Sequence, residues 1–201
     1  MLDACAFRES VFDSEGKIVT RRRDREHLFA FITISVASAA RKEAVLLLKW
    51  DQVHAPRPED LPKGIKVLDL QTAKVGGNSY IDFGEGRGNK RRPKMPVGQN
   101  PALMSYLLWG GDRTQPYVIT YKGRPLADIK KGFAELLKDC GIKKKVTPHS
   151  LKHTAITWLV QSGMELETIS ELTSTSVKIL RGTYAHHRPD YQKALGDALS
   201  L

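Results

Sequence analysis

The chain has 201 residues, an apolar fraction of 41% and a formal net charge of +10. This length and apolar content suit one domain with its own core, and the positive charge favours an anionic partner, nucleic acid before a membrane surface. Two cysteines, Cys5 and Cys140, exclude a disulfide framework and a four-thiolate zinc site, and no apolar run is long enough to span a membrane. We therefore expect a reducing, cytoplasmic setting.

The first predicted elements are helical. The stretch "MLDACAFRES" is typical of the end of a helix that begins upstream, so we expect a linker and first helix over residues 1–23. The next helix is predicted over 25–39, with apolar residues on nearly all faces, which indicates a central position. Another helix is predicted over 41–50 after a small-residue break, and the Pro/Gly-rich stretch 55–64 predicts a loop.

A small sheet is predicted in the middle of the chain. The segments "IKVLDL", "NSYIDFG" and "RPKMPVG" predict three antiparallel strands, and the basic stretch "EGRGNKRR" (85–92) predicts a hairpin tip between the last two. Asn100 followed by Pro101 predicts the start of a helix. "PYVIT" predicts a further strand, and "LADIKKGFAELLKDCG" predicts a helix that ends at Gly141.

The last third of the chain is predicted to be helical. Thr147 and Pro148 predict a helix start, and Gly163 predicts its end. "ELETISELT" and "SVKILRGTY" predict two short helices, and "RPDYQKALGDAL" predicts a final one. The order of helices, small sheet and helices indicates an α+β fold that is mainly helical.

His149 and His153 lie four residues apart, so they share one face of the predicted helix. This is metal-ligand spacing, but a zinc protease helix needs Glu directly after the first His, and Ser150 stands there. No metal is expected. Two interpretations stay open: a structural pair of hydrogen-bonded histidines, or, together with Lys152, a phosphate cradle at a helix N-terminus.

Other basic and aromatic residues admit a structural and a functional interpretation. Arg41, among alanines, could form a surface salt bridge or clamp phosphate oxygens with two hydrogen bonds. Tyr184 could simply pack its ring and expose its hydroxyl. The cations of the hairpin tip could be solvated, or one of them could reach a phosphate; they are Arg87, Lys90, Arg91 and Arg92.

Taken in order, "SAARKEAVLLLKW", "GNKRRPKMPV", "HSLKHTAITWL" and "ISELTSTSVKILRGTYAHH" resemble the catalytic domain of the tyrosine recombinases, the phage-type integrases. The family signature is an arginine after a small-residue turn, a hairpin lysine, a His-x-x-Arg-His box, a His or Trp, and a tyrosine near the C-terminus. "VKILRGTYAHHRPDY" also resembles a branch of bacterial integrases. The resemblance covers about residues 25–190. It implies a tyrosine-recombinase-like fold with a small antiparallel three-stranded sheet.

The resemblance also implies a reaction: site-specific DNA cutting and rejoining through a 3′-phosphotyrosyl intermediate, without ATP, metal or another cofactor. Tyr184 would be the nucleophile, and Arg41, His149 and Lys152 would stabilise charge on the phosphate. His149 could instead act as an acid or base. Lys90 would donate a proton to the leaving 5′ oxygen.

DNA contacts are implied for further basic residues. The partner would be double-stranded DNA, with a dimer or tetramer assembled on it and a monomer when free. Arg87 competes with Lys90 for the role of hairpin catalytic residue. The residues assigned to DNA binding are Arg87, Arg91, Arg92 and His153. His153 matches the second histidine of the His-x-x-Arg-His box, which more often supports structure in the family.

Two positions depart from the family pattern. Lys152 stands where the family has its second arginine, and Thr175 stands where His or Trp is usual. If lysine in place of this arginine loses one charge-assisted hydrogen bond to the phosphate, the cost is about 1.5–3 kcal/mol. Felt wholly in the transition state, this cost lowers the rate by roughly ten- to a hundred-fold. The alternative function is therefore a catalytically impaired DNA-binding relative.

The whole chain, residues 1–201, is predicted to be one catalytic domain. Its core would cover residues 24–190, and residues 191–201 would form a C-terminal helix or tail. We expect that the N-terminal DNA-clamping domain usual in the family is absent from this chain.

Overall fold

Helices are the main regular structure in the computed structural model, which describes residues 2, 5, 8–12, 18–22, 25–57, 59, 61, 78–84 and 94–189. Within these residues the α-helices are α1 (Glu26–Ser38), α2 (Lys42–Leu46), α3 (Pro101–Trp109), α4 (Lys130–Asp139), α5 (Pro148–Gln161), α6 (Leu166–Thr173) and α7 (Val177–Tyr184). Short 3₁₀ turns cover Trp50–Gln52 and Ala185–His187. Among the described helices, none is both long and apolar enough to cross a membrane.

The strands among the described residues form three small antiparallel sheets. A hairpin joins β1 (Arg8–Phe12) and β2 (Ile18–Arg22). A three-stranded sheet has the order β3 (Val53–His54), β4 (Tyr80–Ile81) and β5 (Met95–Pro96). A last hairpin joins β6 (Thr120–Tyr121) and β7 (Arg124–Pro125).

Helix α1 is the central element, as its sequence predicts. Phe31 and Ile34 are fully buried in the larger of two cores, and α1 packs against both α3 and α5. The helix ends at Ala39, whose φ of 48° is left-handed. This sharp break separates α1 from α2 and fixes the direction in which the chain presents the next residues.

A second, smaller core lies between α5, α6, α7 and the end of α1. We call it the small core; its buried members are Ala39, Ala155, Ile156, Val160, Leu166, Ile169, Leu180 and Tyr184. The apolar positions of these three helices face one another here, which is why the helices pack together. The small core carries the turns and helix ends on which the candidate site is built.

Local signals explain where several helices begin and end. Asn100 caps α3 by accepting the Leu103 N–H at 3.0 Å, as the Asn-Pro pair predicts. Gly141 and Gly163, beyond the ends of α4 and α5, have φ of 66° and 80°, so these two helix ends are confirmed. Lys122 and Gly123 both have positive φ, which forms the tight turn between β6 and β7.

The prediction of a helix over 41–50 is wrong in its second half. Helix α2 ends at Leu46, because the backbone then pairs with the segment before β6: the Trp50 N–H donates to the Pro116 carbonyl at 3.0 Å. The strand predicted for "PYVIT" (116–120) is also shifted, since β6 begins only at Thr120, the last residue of that segment.

The three-stranded sheet is confirmed, but with a different first strand. Strands β4 and β5 fall within the predicted segments, whereas β3 is a two-residue strand that the sequence analysis assigns to no element. The predicted strand 65–70 and most of the predicted final helix lie outside the described residues. The hairpin β1–β2 also differs from the linker and helix predicted over 1–23.

Candidate active site

Helix α5 carries three of the predicted site residues. It begins at Pro148, and the Thr147 N–H donates to Ser150 Oγ at 3.1 Å, which secures its first turn. One face, with Leu151 and Ala155, is buried, while His149 and His153 lie exposed on another. The helix therefore displays the histidines and keeps its apolar stripe inside.

The two histidines contact each other directly. Their ring centroids are 4.7 Å apart, and the rings meet edge to face. Within the described parts of the chain, no three His, Cys, Asp or Glu side chains group in a way that could hold a metal ion. The pair therefore offers nitrogen atoms for hydrogen bonding and proton transfer.

Lys152 points inward from the same helix. Its side chain is only 7% exposed, and Nζ donates to the Thr173 carbonyl at 2.6 Å. Thr173 is the last residue of α6, and helix C-terminal carbonyls attract cations. Lys152 thus ties α5 to the end of α6.

The end of α6 continues into a turn formed by residues 173–175, here called the 173–175 turn. Ser174 has a left-handed φ of 51°, and Thr175 Oγ1 donates to the Thr173 carbonyl at 3.4 Å. Thr175, the residue at the His/Trp position of the signature, therefore lies at the same carbonyl as Lys152.

Arg41 lies across a small pocket from this turn. It directly precedes α2, two residues after the left-handed Ala39, and it is exposed. The pocket is lined by Ser38, Ala40, Arg41, Phe83, Met95, Leu172, Thr173 and Ser174. Among the described residues Arg41 forms no ion pair, whereas its neighbour Lys42 binds Asp128 at 3.1 Å. The surface salt bridge considered for Arg41 is thus absent from this part of the molecule.

Tyr184, the last residue of α7, meets α5 at His153. Its hydroxyl is hydrogen bonded to Nδ1 of His153, and the two rings are nearly parallel with centroids 5.9 Å apart. The tyrosine is 4% exposed and packs in the small core. The alternative of an exposed hydroxyl is therefore wrong, because the hydroxyl is engaged by an imidazole.

Burial and neighbouring charge shift the pKa values of this pair in opposite directions. Burial raises the pKa of the Tyr184 phenol above its usual 10.0. Burial, and then the nearby His149 and Lys152, lower the pKa of His153 below its usual 6.5. At neutral pH the phenol is thus protonated and the imidazole uncharged, so His153 can accept a hydrogen bond from Tyr184.

The predicted cations of the hairpin tip, Lys90, Arg87, Arg91 and Arg92, lie outside the described residues. The flanks of that segment are described, and both reach the pocket: Phe83 precedes it, and Met95 follows it. The described residues on either side of the segment therefore line the same pocket as Arg41.

The predicted residues thus form two adjoining groups joined by α5. Arg41, Lys152 and Thr175 meet around the 173–175 turn, and His149, His153 and Tyr184 meet on the displayed face of the helix. Sequence analysis missed Thr173 and Ser174, which carry no distinctive motif. It also missed the exposed lysine run 143–145 just before α5, although three consecutive lysines were a visible signal.

Comparison with known proteins gives a consistent result. The profile of the phage integrase family matches residues 84–190. The tyrosine recombinase XerC of Bacillus pumilus is 28% identical over 195 residues, covering 82% of this chain and 59% of that protein. The tyrosine recombinase XerD of Halalkalibacterium halodurans is 30% identical over 128 residues, covering 52% of this chain and 42% of that protein. The chain therefore spans about half the length of these relatives.

The solved structure of the XerH site-specific recombinase bound to its palindromic difH substrate superposes with a TM-score of 0.57. The two chains are 19% identical, and the match covers all of this chain and 50% of XerH. The likeness shows that the mainly helical α+β fold of this chain is shared with the matched half of XerH.

Proposed function

The chain belongs to the phage integrase family, and on that premise we propose that it is the catalytic domain of a site-specific DNA recombinase. It cuts and rejoins double-stranded DNA through a 3′-phosphotyrosyl intermediate. The observation that carries the proposal is the meeting of Arg41, Lys152, His149 and Tyr184 around one helix and one turn, although the four residues are spread over more than two thirds of the sequence.

Arg41 is the residue best suited to bind the phosphate. It is exposed, it has no carboxylate partner among the described residues, and it faces the 173–175 turn across the pocket. A guanidinium can hold two non-bridging oxygens at once, and this charge-assisted contact strengthens as the phosphorane forms. His149, exposed on the first turn of α5, supplies a further donor in this proposal.

In the proposal, Lys152 stabilises the phosphate less directly than the second arginine of the family would. Its ammonium donates to the Thr173 carbonyl, so it holds the turn opposite Arg41 while its positive charge remains near the pocket. Through-space stabilisation of the phosphate is then weaker than direct bidentate binding. We therefore expect a working but slower enzyme.

The cleavage step is an in-line displacement at phosphorus. The Tyr184 oxygen forms a bond to phosphorus while the bond from phosphorus to the 5′ oxygen breaks. The phenol loses its proton, and the leaving 5′ oxygen gains one, a role that the proposal assigns to Lys90 with Arg87 as the competitor. A 5′-hydroxyl of a partner strand reverses these changes, so the ester conserves the bond energy.

DNA binding in the proposal depends mainly on phosphate contacts. Three exposed lysines, 143–145, stand directly before α5 and its displayed histidines. The sequence adds Arg87, Arg91 and Arg92, which the proposal also assigns to DNA binding. Since each neutralised phosphate releases counterions, the affinity should fall steeply as the salt concentration rises.

The proposal also covers the domain bounds, the number of subunits and the cellular location. Residues 24–190 would form the catalytic core of the single domain 1–201, two or four subunits would assemble on DNA, and the reaction would take place in the cytoplasm. Analytical ultracentrifugation with and without a recombination-site duplex tests the subunit number.

A suicide substrate with a nick next to the cleavage position tests the function. The short fragment released after attack diffuses away, so the covalent protein–DNA adduct accumulates and is seen on a denaturing gel. We expect adduct with the natural chain and none with Tyr184→Phe, which should still bind DNA. The test uses a library of duplexes from the DNA element that encodes the chain. If the protein binds these duplexes but forms no adduct, the recombinase proposal is contradicted and the catalytically impaired DNA-binding relative is favoured.

A further inference from the structure

The contact between His153 and Tyr184 gives the second box histidine a role that neither a structural nor a DNA-binding assignment provides. Resting on the proposed function, we propose that His153 is the general base that takes the phenol proton of Tyr184 through Nδ1 as the phosphotyrosyl bond forms.

Geometry is the first argument. The Tyr184 hydroxyl is already hydrogen bonded to His153 Nδ1, so no movement is needed to bring acid and base together. The resemblance leaves His149 as another possible acid or base. Its ring centroid lies 4.7 Å from that of His153, and no described contact joins it to Tyr184. A base must lie within hydrogen-bond reach of the proton it takes, and His153 meets this requirement.

The need for a base is the second argument. Tyr184 is 4% exposed, so water has little access to its hydroxyl, and burial disfavours the phenolate. His153 is the side chain that contacts this hydroxyl, while its own ring remains exposed on the outer side. The proton can therefore leave the buried phenol through the imidazole.

The charge state of His153 is the third argument. The groups that act on its ring are His149 and Lys152 on its own helix and Tyr184 on α7. The elements packed against α5 carry these other titratable or charged groups: Glu26 and His27 on α1, Glu165, Glu167 and Glu171 at α6, Lys178 and Arg181 on α7, and His186, His187 and Arg188 beyond it. Burial, and then His149 and Lys152, lower the pKa of His153, so the ring is neutral at neutral pH and its lone pair is available.

The proton balance closes over one cycle. In cleavage, the phenol proton moves to Nδ1 as the oxygen–phosphorus bond forms, and His153 becomes an imidazolium. In rejoining, the phenolate leaves phosphorus and takes the same proton back. Full transfer before attack is uphill, because the phenol is a much weaker acid than the imidazolium, so the proton moves during bond formation.

The tautomer of His153 provides a test that is independent of activity. A base at Nδ1 requires the proton of the neutral ring to sit on Nε2. Nitrogen-15 NMR of histidine-labelled protein, assigned with His153→Asn, should show this tautomer at neutral pH, and Tyr184→Phe should change the Nδ1 shift. A neutral ring protonated at Nδ1 would overturn the proposal.

Kinetics provide the second test. His153→Asn keeps an amide near the Nδ1 position but cannot take up a proton, so single-turnover adduct formation should fall by roughly 10²–10⁴-fold. The natural chain should lose activity as the pH falls through a value below 6.5, because protonation blocks the base, and the variant should lose this limb of the profile. His54→Asn, which alters an exposed histidine outside the site, is the matched control and should react normally.

A substrate with sulfur in place of the 5′ bridging oxygen distinguishes the role of the general acid from that of the general base. A thiolate leaves without a proton, so this substrate should rescue a Lys90 variant but not His153→Asn. Rescue of His153→Asn, or a near-normal rate on the ordinary substrate, would overturn the inference while leaving the recombinase intact. Absence of adduct from the natural chain would instead overturn the proposed function. Thermal unfolding of each variant verifies that it is folded.

Discussion

Replacing Lys152 by methionine should destabilise the protein, because the ammonium satisfies the last carbonyl of α6. Its Nζ lies 2.6 Å from the Thr173 oxygen, and the side chain is 7% exposed. A hydrogen bond to a charged donor contributes about 1.5–3 kcal/mol. Methionine keeps the packing of the aliphatic stem and removes a buried charge, and both effects offset part of the loss. We expect a net loss of about 1–2 kcal/mol in the free energy of unfolding.

Urea unfolding and thermal melting measure this effect. For a chain of this size, the loss corresponds to a decrease of about 2–8 °C in Tm. Lys178→Met, at an exposed position on α7, is the control and should stay within about 0.5 kcal/mol of the natural chain. A Lys152→Met protein as stable as the natural one would refute the argument, since the ammonium would then contribute nothing to holding the 173–175 turn.

Three further outcomes follow from the same geometry. Lys152→Arg should raise the adduct yield, by up to roughly ten- to a hundred-fold, because a guanidinium can bind both the Thr173 carbonyl and a phosphate oxygen; a lower yield would contradict the role given to Lys152. Changing lysines 143–145 to glutamine should reduce the slope of log affinity against log salt by about 2–3, whereas Lys131→Gln should leave it unchanged. Burial raises the pKa of Cys5 to about 11, so at pH 8 iodoacetamide should label Cys140 well before it; equal labelling rates by mass spectrometry would contradict this.

Helix positions were largely predictable because their signals are local. The Asn100–Pro101 pair and the glycines after α4 and α5 act within a few residues of themselves, so sequence alone located these ends. Strand β3 was missed because two residues cannot show an alternating pattern, and its partner Ile81 is far along the chain. Helix α2 was predicted too long because a distant backbone segment captures residues 49–50.

The candidate site was predictable as a set of residues but not as a set of contacts. The ordered motifs led to Arg41, His149, Lys152 and Tyr184, and the structure brings their elements together. The bond from Lys152 to the Thr173 carbonyl could not be predicted, since a backbone acceptor carries no sequence signal. Helical spacing likewise shows that His149 and His153 share a face, but not which of them meets the tyrosine.

Ala39 connects the two groups of site residues, because it lies near Arg41 in sequence and near Tyr184 in the small core. A left-handed alanine costs about 1–2 kcal/mol, and Ala39 is buried in the same small core as Tyr184. Withdrawal of the aromatic ring would remove packing from this core, and so weaken the support of the turn two residues before Arg41. By thermodynamic reciprocity, a ligand that steadies the guanidinium also favours the seated tyrosine. If the proposed function holds, phosphate binding at Arg41 and the position of Tyr184 are therefore coupled through the packing of the small core.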